Sequence, residues 1–114
     1  MSESIKVGEL IHLIEIDKFV VGASVKQVGA LNFTICLKGI HQMLTVKNKH
    51  LCQTMLDLYA MKGMIVEPAV ALSVAALDLI QDQIKNKVVV CIIFGRNFVP
   101  KRFPEITKIA HSNC

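Results

Sequence analysis

A chain of 114 residues fits a single domain. Its apolar share is 53% with only 5% aromatics and no tryptophan, an aliphatic content that calls for close packing, either in its own core or against another subunit. The net charge of +4 comes from scattered lysines and arginines without a basic run, which argues against nucleic acid. No run reaches the roughly 18 apolar residues of a membrane span, and the opening Met1-Ser2-Glu3-Ser4-Ile5-Lys6 lacks the apolar stretch of a signal peptide. A cytoplasmic protein is expected, with neither membrane nor nucleic acid as partner.

In chain order, residues 9–16 carry Leu10, Ile11, Leu13 and Ile14 in loose alternation and read as a strand or extended segment. Phe19-Val20-Val21-Gly22 reads as a turn. Over 25–38, Val28, Leu31 and Ile35 recur at helical spacing, and Gly39 is a natural stop. A short strand is expected at 43–46. After Asn48, a helix-capping residue type, Leu51, Met55 and Leu58 mark one face of a helix that ends at Lys62-Gly63. A brief strand over 64–66 leads into Glu67-Pro68, where proline suits a first helical position because its missing N–H is not needed there. The helix from 69 to about 84 has Ser73 as the only polar residue of its first half, so it enters the core at its start and surfaces at its end. Residues 88–93 are continuously apolar and read as the central buried strand. Strands alternating with helices predict an α/β unit with a mainly parallel sheet.

Ligands of such sheets gather outside the carboxyl ends of strands. Two junctions qualify: Glu67 before its helix, and Phe94-Gly95-Arg96-Asn97 after the apolar run. Glu67 also reads simply as an acid favoured by the helix dipole, Gly95 as a turn residue, and Arg96 as a surface side chain or an anion contact. The six glycines are isolated, so the chain holds no complete phosphate loop. Cys36, Cys52, Cys91 and Cys114 show no Cys-x-x-Cys spacing, and His12, His41, His50 and His111 form no His-x-x-x-His pair. Reduced cysteines and no metal are expected.

Four stretches carry a resemblance. They are Asp17-Lys18-Phe19-Val20-Val21-Gly22-Ala23-Ser24-Val25-Lys26-Gln27-Val28-Gly29, Leu51-Cys52-Gln53-Thr54-Met55-Leu56-Asp57-Leu58-Tyr59, Val66-Glu67-Pro68-Ala69-Val70-Ala71-Leu72-Ser73-Val74-Ala75-Ala76-Leu77-Asp78, and residues 88–97 followed by Pro104-Glu105-Ile106. In this order they resemble the last part of the catalytic region of threonine ammonia-lyases (threonine dehydratases), lyases of isoleucine biosynthesis that use pyridoxal phosphate. The resemblance implies part of a three-layer fold-type II catalytic region, with 1–114 as one partial catalytic domain.

It further implies that the Schiff-base lysine and the glycine-rich phosphate loop precede everything matched here. None of the eleven lysines inherits the catalytic role, and no catalytic residue is assigned. The cofactor-proximal positions implied are Glu67, Phe94, Gly95 and Asn97. Phe94 stands where the family has a serine that bonds the cofactor's ring nitrogen, and Arg96 replaces a glycine. Val70 and Val21 replace the glycine and aspartate of two other motifs. The expectation is a segment or divergent relative of an enzyme that turns L-threonine into 2-oxobutanoate and ammonia. Alone, the chain is expected to be inactive and not to hold the cofactor. The alternative is a non-catalytic interaction module that pairs with itself or with a full-length family member.

Overall fold

A computed structural model describes residues 1–95 and 97–112 and divides the chain into two compact units, Met1–Leu44 and Thr45–Cys114.

In the first unit, helix α1 (Ser2–Val7) forms where no helical periodicity stood out. It ends at Gly8, whose φ of 82° is the left-handed turn that glycine takes without strain, with its N–H bonded to the Ser4 carbonyl. Ser4 is buried, and its hydroxyl accepts the N–H of Ile11 at 3.2 Å. The segment after α1 is neither helix nor strand, and it is held by the Leu13 N–H on the Lys26 carbonyl at 2.8 Å. A single 3₁₀ turn over Val21–Ala23 occupies the expected turn. Helix α2 (Ala30–Gly39) begins five residues later than residue 25, because Gly29 is still extended at ψ 140°. It packs on α1 and buries Phe33.

The second unit is built around helix α3 (Asn48–Lys62), which packs on both α4 (Pro68–Ala75) and α6 (Phe103–Ala110). Leu51 and Met55, four residues apart, lie on the buried face of α3, and Cys52 beside them is fully enclosed. The cap position falls on Lys47, with Asn48 as the first helical residue. At the other end Gly63 takes φ 61° and donates to the Tyr59 carbonyl. Helix α6, not foreseen as an element, turns Ile106 and Ala110 inward. Its Phe103 ring meets Tyr59 and Phe98 edge-on at 5.6 and 5.2 Å.

The expected helix from 69 to 84 is three pieces: α4, a 3₁₀ turn over Ala76–Leu79, and the one-turn α5 (Gln81–Ile84). Ile80, at φ −129° and ψ 21°, breaks the run. Its burial follows expectation: Val70, Ala71 and Ala75 are fully enclosed, and Leu79 is exposed.

The expected α/β unit, a three-layer arrangement with a mainly parallel sheet, is overturned: no described residue lies in a β-strand. A strand needs a neighbour about 4.8 Å away to take up its N–H and C=O groups. Within the second unit, residues 64–66 and 88–93 share no backbone hydrogen bond with one another. A cleft of about 470 Å³, lined by residues 63–66 with Ile93, Phe98 and Pro100, stands where a ladder between the last two segments would run. Nor are 88–93 buried, since Val88, Val90 and Ile92 are largely exposed. Unbroken apolarity marks residues that require cover, and in the second unit α4 meets this run at Cys91 and Ile92.

Candidate functional site

The site forms where residues 91–95 run along one face of α4. Glu67, Val70 and Ser73 are spaced three apart and line that face. At one end, the Ser73 hydroxyl lies 3.3 Å from the Ile92 carbonyl and 3.0 Å from that of Val70, and the Cys91 thiol donates to the Ser73 carbonyl at 3.4 Å. At the other end, a methyl group built on Gly95 would meet the Glu67 carboxylate, with its Cδ at 2.7 Å, and Val70 Cγ2 at 3.0 Å. The lengths agree: six helical residues rise about 9 Å, and three extended residues span about 10 Å. Stepping from Ser73 to Glu67 along the helix therefore keeps pace with stepping from Ile92 to Gly95.

Glu67 is the N-cap residue of α4, extended at ψ 158°, with Pro68 behind it at the first helical position. Its side chain makes no capping bond and reaches across to Gly95 instead. The expected dipole-stabilised acid is therefore also a contact between two motifs 28 positions apart in sequence. Gly95 is needed for this approach because any β-carbon would displace the carboxylate.

Of the four anticipated residues, the structure brings Glu67 and Gly95 together. Phe94, directly before Gly95, and Asn97, two places after it, are both exposed. Arg96 lies outside the described residues. Sequence reasoning missed Ser73, the residue that pins the segment. Its signal was present, since it is the one polar residue in the apolar half of its helix.

Two further groups lie in the same unit. His50 Nε2 is 3.0 Å from the Ala75 carbonyl and 3.1 Å from Asp78 Oδ2, joining α3 to the end of α4. Burial pushes the Cys52 thiol up to about 11, with the negative charge of Glu105 adding to the rise and Arg102 opposing it. Cys36, Cys52 and Cys91 are free thiols, and among the described residues no three His, Cys, Asp or Glu side chains come together as metal ligands. No helix among them is long and apolar enough to cross a membrane.

No protein-family model matches the chain. It is 46% identical over 97 residues to the biosynthetic L-threonine dehydratase IlvA of Halalkalibacterium halodurans, a match covering 85% of this chain and 23% of that one. It is 46% identical over 95 residues to the same enzyme of Bacillus subtilis, covering 83% of this chain and 22% of that one. The processed form of threonine deaminase isoform 2 from Solanum lycopersicum superposes with a TM-score of 0.87 at 26% identity, over 96% of this chain and 33% of that chain. A second solved threonine deaminase, from T.th., shares the fold at a TM-score of 0.72 and 22% identity, over 86% of this chain and 36% of that chain. The chain thus follows the backbone path of a threonine deaminase although no described residue lies in a β-ladder. It is a sequence relative of one segment, about a quarter, of the biosynthetic threonine dehydratases.

Proposed function

We propose that the chain is a segment of a threonine-dehydratase-type lyase that does not catalyse alone and belongs in an assembly with the remainder of such a polypeptide. The observation that carries this reading is the contact of Glu67 with Gly95, which joins the two cofactor-proximal motifs of the resemblance in one place. In the whole enzyme the expected substrate is L-threonine and the products are 2-oxobutanoate and ammonia. Pyridoxal phosphate, the cofactor implied by the resemblance, supplies the electron sink for that reaction.

The side chains of this chain do not fit that cofactor by themselves. A phosphopyridine needs several converging N–H donors for its phosphate and a hydrogen-bonding partner for its ring nitrogen. The site offers a carboxylate at Glu67 and an apolar ring at Phe94. What the chain supplies on this reading is scaffold: α4 and residues 91–95 hold one wall, and the donors and the lysine come from the rest of the assembly.

Co-expression with the Bacillus subtilis enzyme lacking its matching segment tests the proposal. A co-eluting complex is expected, with no 2-oxobutanoate formed from L-threonine and pyridoxal phosphate by the chain alone. Turnover by the isolated chain, or failure of the two polypeptides to associate, would sink it.

A further inference from the structure

Ser73 grips residues 91–95 twice. Its hydroxyl lies 3.3 Å from the Ile92 carbonyl and its own carbonyl takes the Cys91 thiol at 3.4 Å, so one helical residue holds two successive residues of the segment. Nearly two turns away along α4, the far end of the segment is fixed by shape alone. There the Glu67 carboxylate and Val70 leave room for a glycine and nothing larger.

The two ends admit one register between them. Phe94 and Arg96, the neighbours of Gly95 in the sequence, both carry a β-carbon, so neither can stand where Gly95 stands. A slide by one residue would also turn the side chains of an extended segment to the opposite face and take the Cys91 thiol off the Ser73 carbonyl. Shape excludes the wrong settings but offers no attraction to the right one. The attraction comes from Ser73, the only polar residue of α4. Its one hydroxyl proton is shared between the Ile92 carbonyl and that of Val70, 3.0 Å away, and this ties segment to helix.

We infer that Ser73 is a positioning residue: its hydroxyl sets the register of 91–95 on α4 and thereby holds the Gly95 backbone against Glu67. Glu67 lies about 9 Å along the helix from Ser73, so the influence passes through the segment. That Glu67 and Gly95 form a wall beside a cofactor rests on the function proposed above; the register itself does not.

Variants of the full chain at this one position test the inference. Ser73→Thr keeps the hydroxyl, and Ser73→Val has the same shape without it. Where circular dichroism shows that either fails to fold, Ser73→Ala is compared with the unaltered serine. The first readout is the rate at which an aromatic disulfide reagent labels Cys91, resolved from Cys36 and Cys52 by peptide mass spectrometry. Every variant keeps the backbone carbonyl that holds the thiol, so a changed rate reports movement of the segment. Ser73→Val should raise it about fivefold, the factor that one hydrogen bond supplies, with Cys36 unchanged, while Ser73→Thr stays within about twofold of the unaltered chain. The second readout is a double-mutant cycle with Gly95→Ala in urea. Sites this far apart ordinarily add, but a freed segment can back away from Glu67 and Val70. The factor by which Gly95→Ala lowers the folding constant should therefore be about threefold smaller in the Ser73→Val chain. An unchanged Cys91 rate in Ser73→Val, equal acceleration by Ser73→Thr, or strictly additive losses would each overturn the inference. Neither readout involves turnover or cofactor, so failure of the proposed assembly would leave both standing.

Discussion

The carboxylate of Glu67 rests against the α-carbon of Gly95, leaving no room there for a β-carbon. Gly95→Ala therefore forces two neighbours to give way. Glu67 can swing its carboxylate aside, whereas Val70 is fully buried on α4 and cannot. A loss of about 1–2 kcal/mol is expected in urea denaturation, the range of a modest overpacking. Adding Glu67→Ala to Gly95→Ala should recover part of the loss but not all of it, because the Val70 contact remains. Full recovery, or none, would show that the two neighbours do not share the strain in this way.

The Cys52 thiol is fully enclosed, and its pKa is pushed from 9.0 to about 11. The unfolded chain then releases this proton before the folded one does, so between those values the unfolded state binds fewer protons and stability falls as pH rises. The contribution is complete below pH 9 and lost on approaching pH 11, amounting to about 2–3 kcal/mol in all. Cys52→Ala should flatten stability over that window when unfolding is followed at fixed pH values. At neutral pH an aromatic disulfide reagent should reach the half-buried Cys36 and Cys91 well before Cys52.

His50 contacts two acceptors with one ring nitrogen, the Ala75 carbonyl and the Asp78 carboxylate. A carbonyl can only accept, so Nε2 carries the proton. The Asp78 side chain is 57% exposed, and its share is a surface pair that solvent screens. Asp78→Asn should cost less than about 1 kcal/mol, and that cost should vanish in high salt. His50→Ala removes that pair together with a bond to the end of α4 and the packing around it, and should cost about 1–2 kcal/mol, most of which persists in high salt. Thermal melts of the two variants with and without added sodium chloride separate the contributions.

The parts of the fold that could be read from the sequence were those whose determinants are local. Pro68 at a first helical position, Gly63 after Lys62 and the spacing of Leu51 and Met55 each dictate geometry within a turn or two, and the structure follows them. The sheet was not of this kind. A strand is completed by a partner distant in sequence, and the apolar run at 88–93 expresses a need for cover without saying what provides it. The turn at Ile80 and helix α6 were missed because no glycine breaks the first, while Pro104 in the opening turn of the second reads equally well as a loop. At the site, Glu67 and Gly95 could be nominated separately as junction residues. Their contact depends on Ser73 and Cys91 fixing how 91–95 lies on α4, a placement that the residue types alone do not dictate.

Leu51 and Leu31 show the same limit in energetic form. Both are leucines on regular helices at apolar spacing, and the sequence treats them alike. Leu51 faces inward from α3 and is fully buried, so Leu51→Ala opens a cavity that the surrounding side chains fill only in part. The expected loss is about 3–4 kcal/mol, within the usual range for a buried leucine. Leu31 on α2 is 72% exposed, and Leu31→Ala removes few contacts while slightly favouring the helix, so its stability should move by less than about 0.5 kcal/mol. Urea titrations of the two variants, followed by far-ultraviolet circular dichroism, measure both. Equal losses would mean that the first unit's apolar surface is covered in solution, and a small loss at Leu51 would mean that α3 does not pack on α4 and α6 as described.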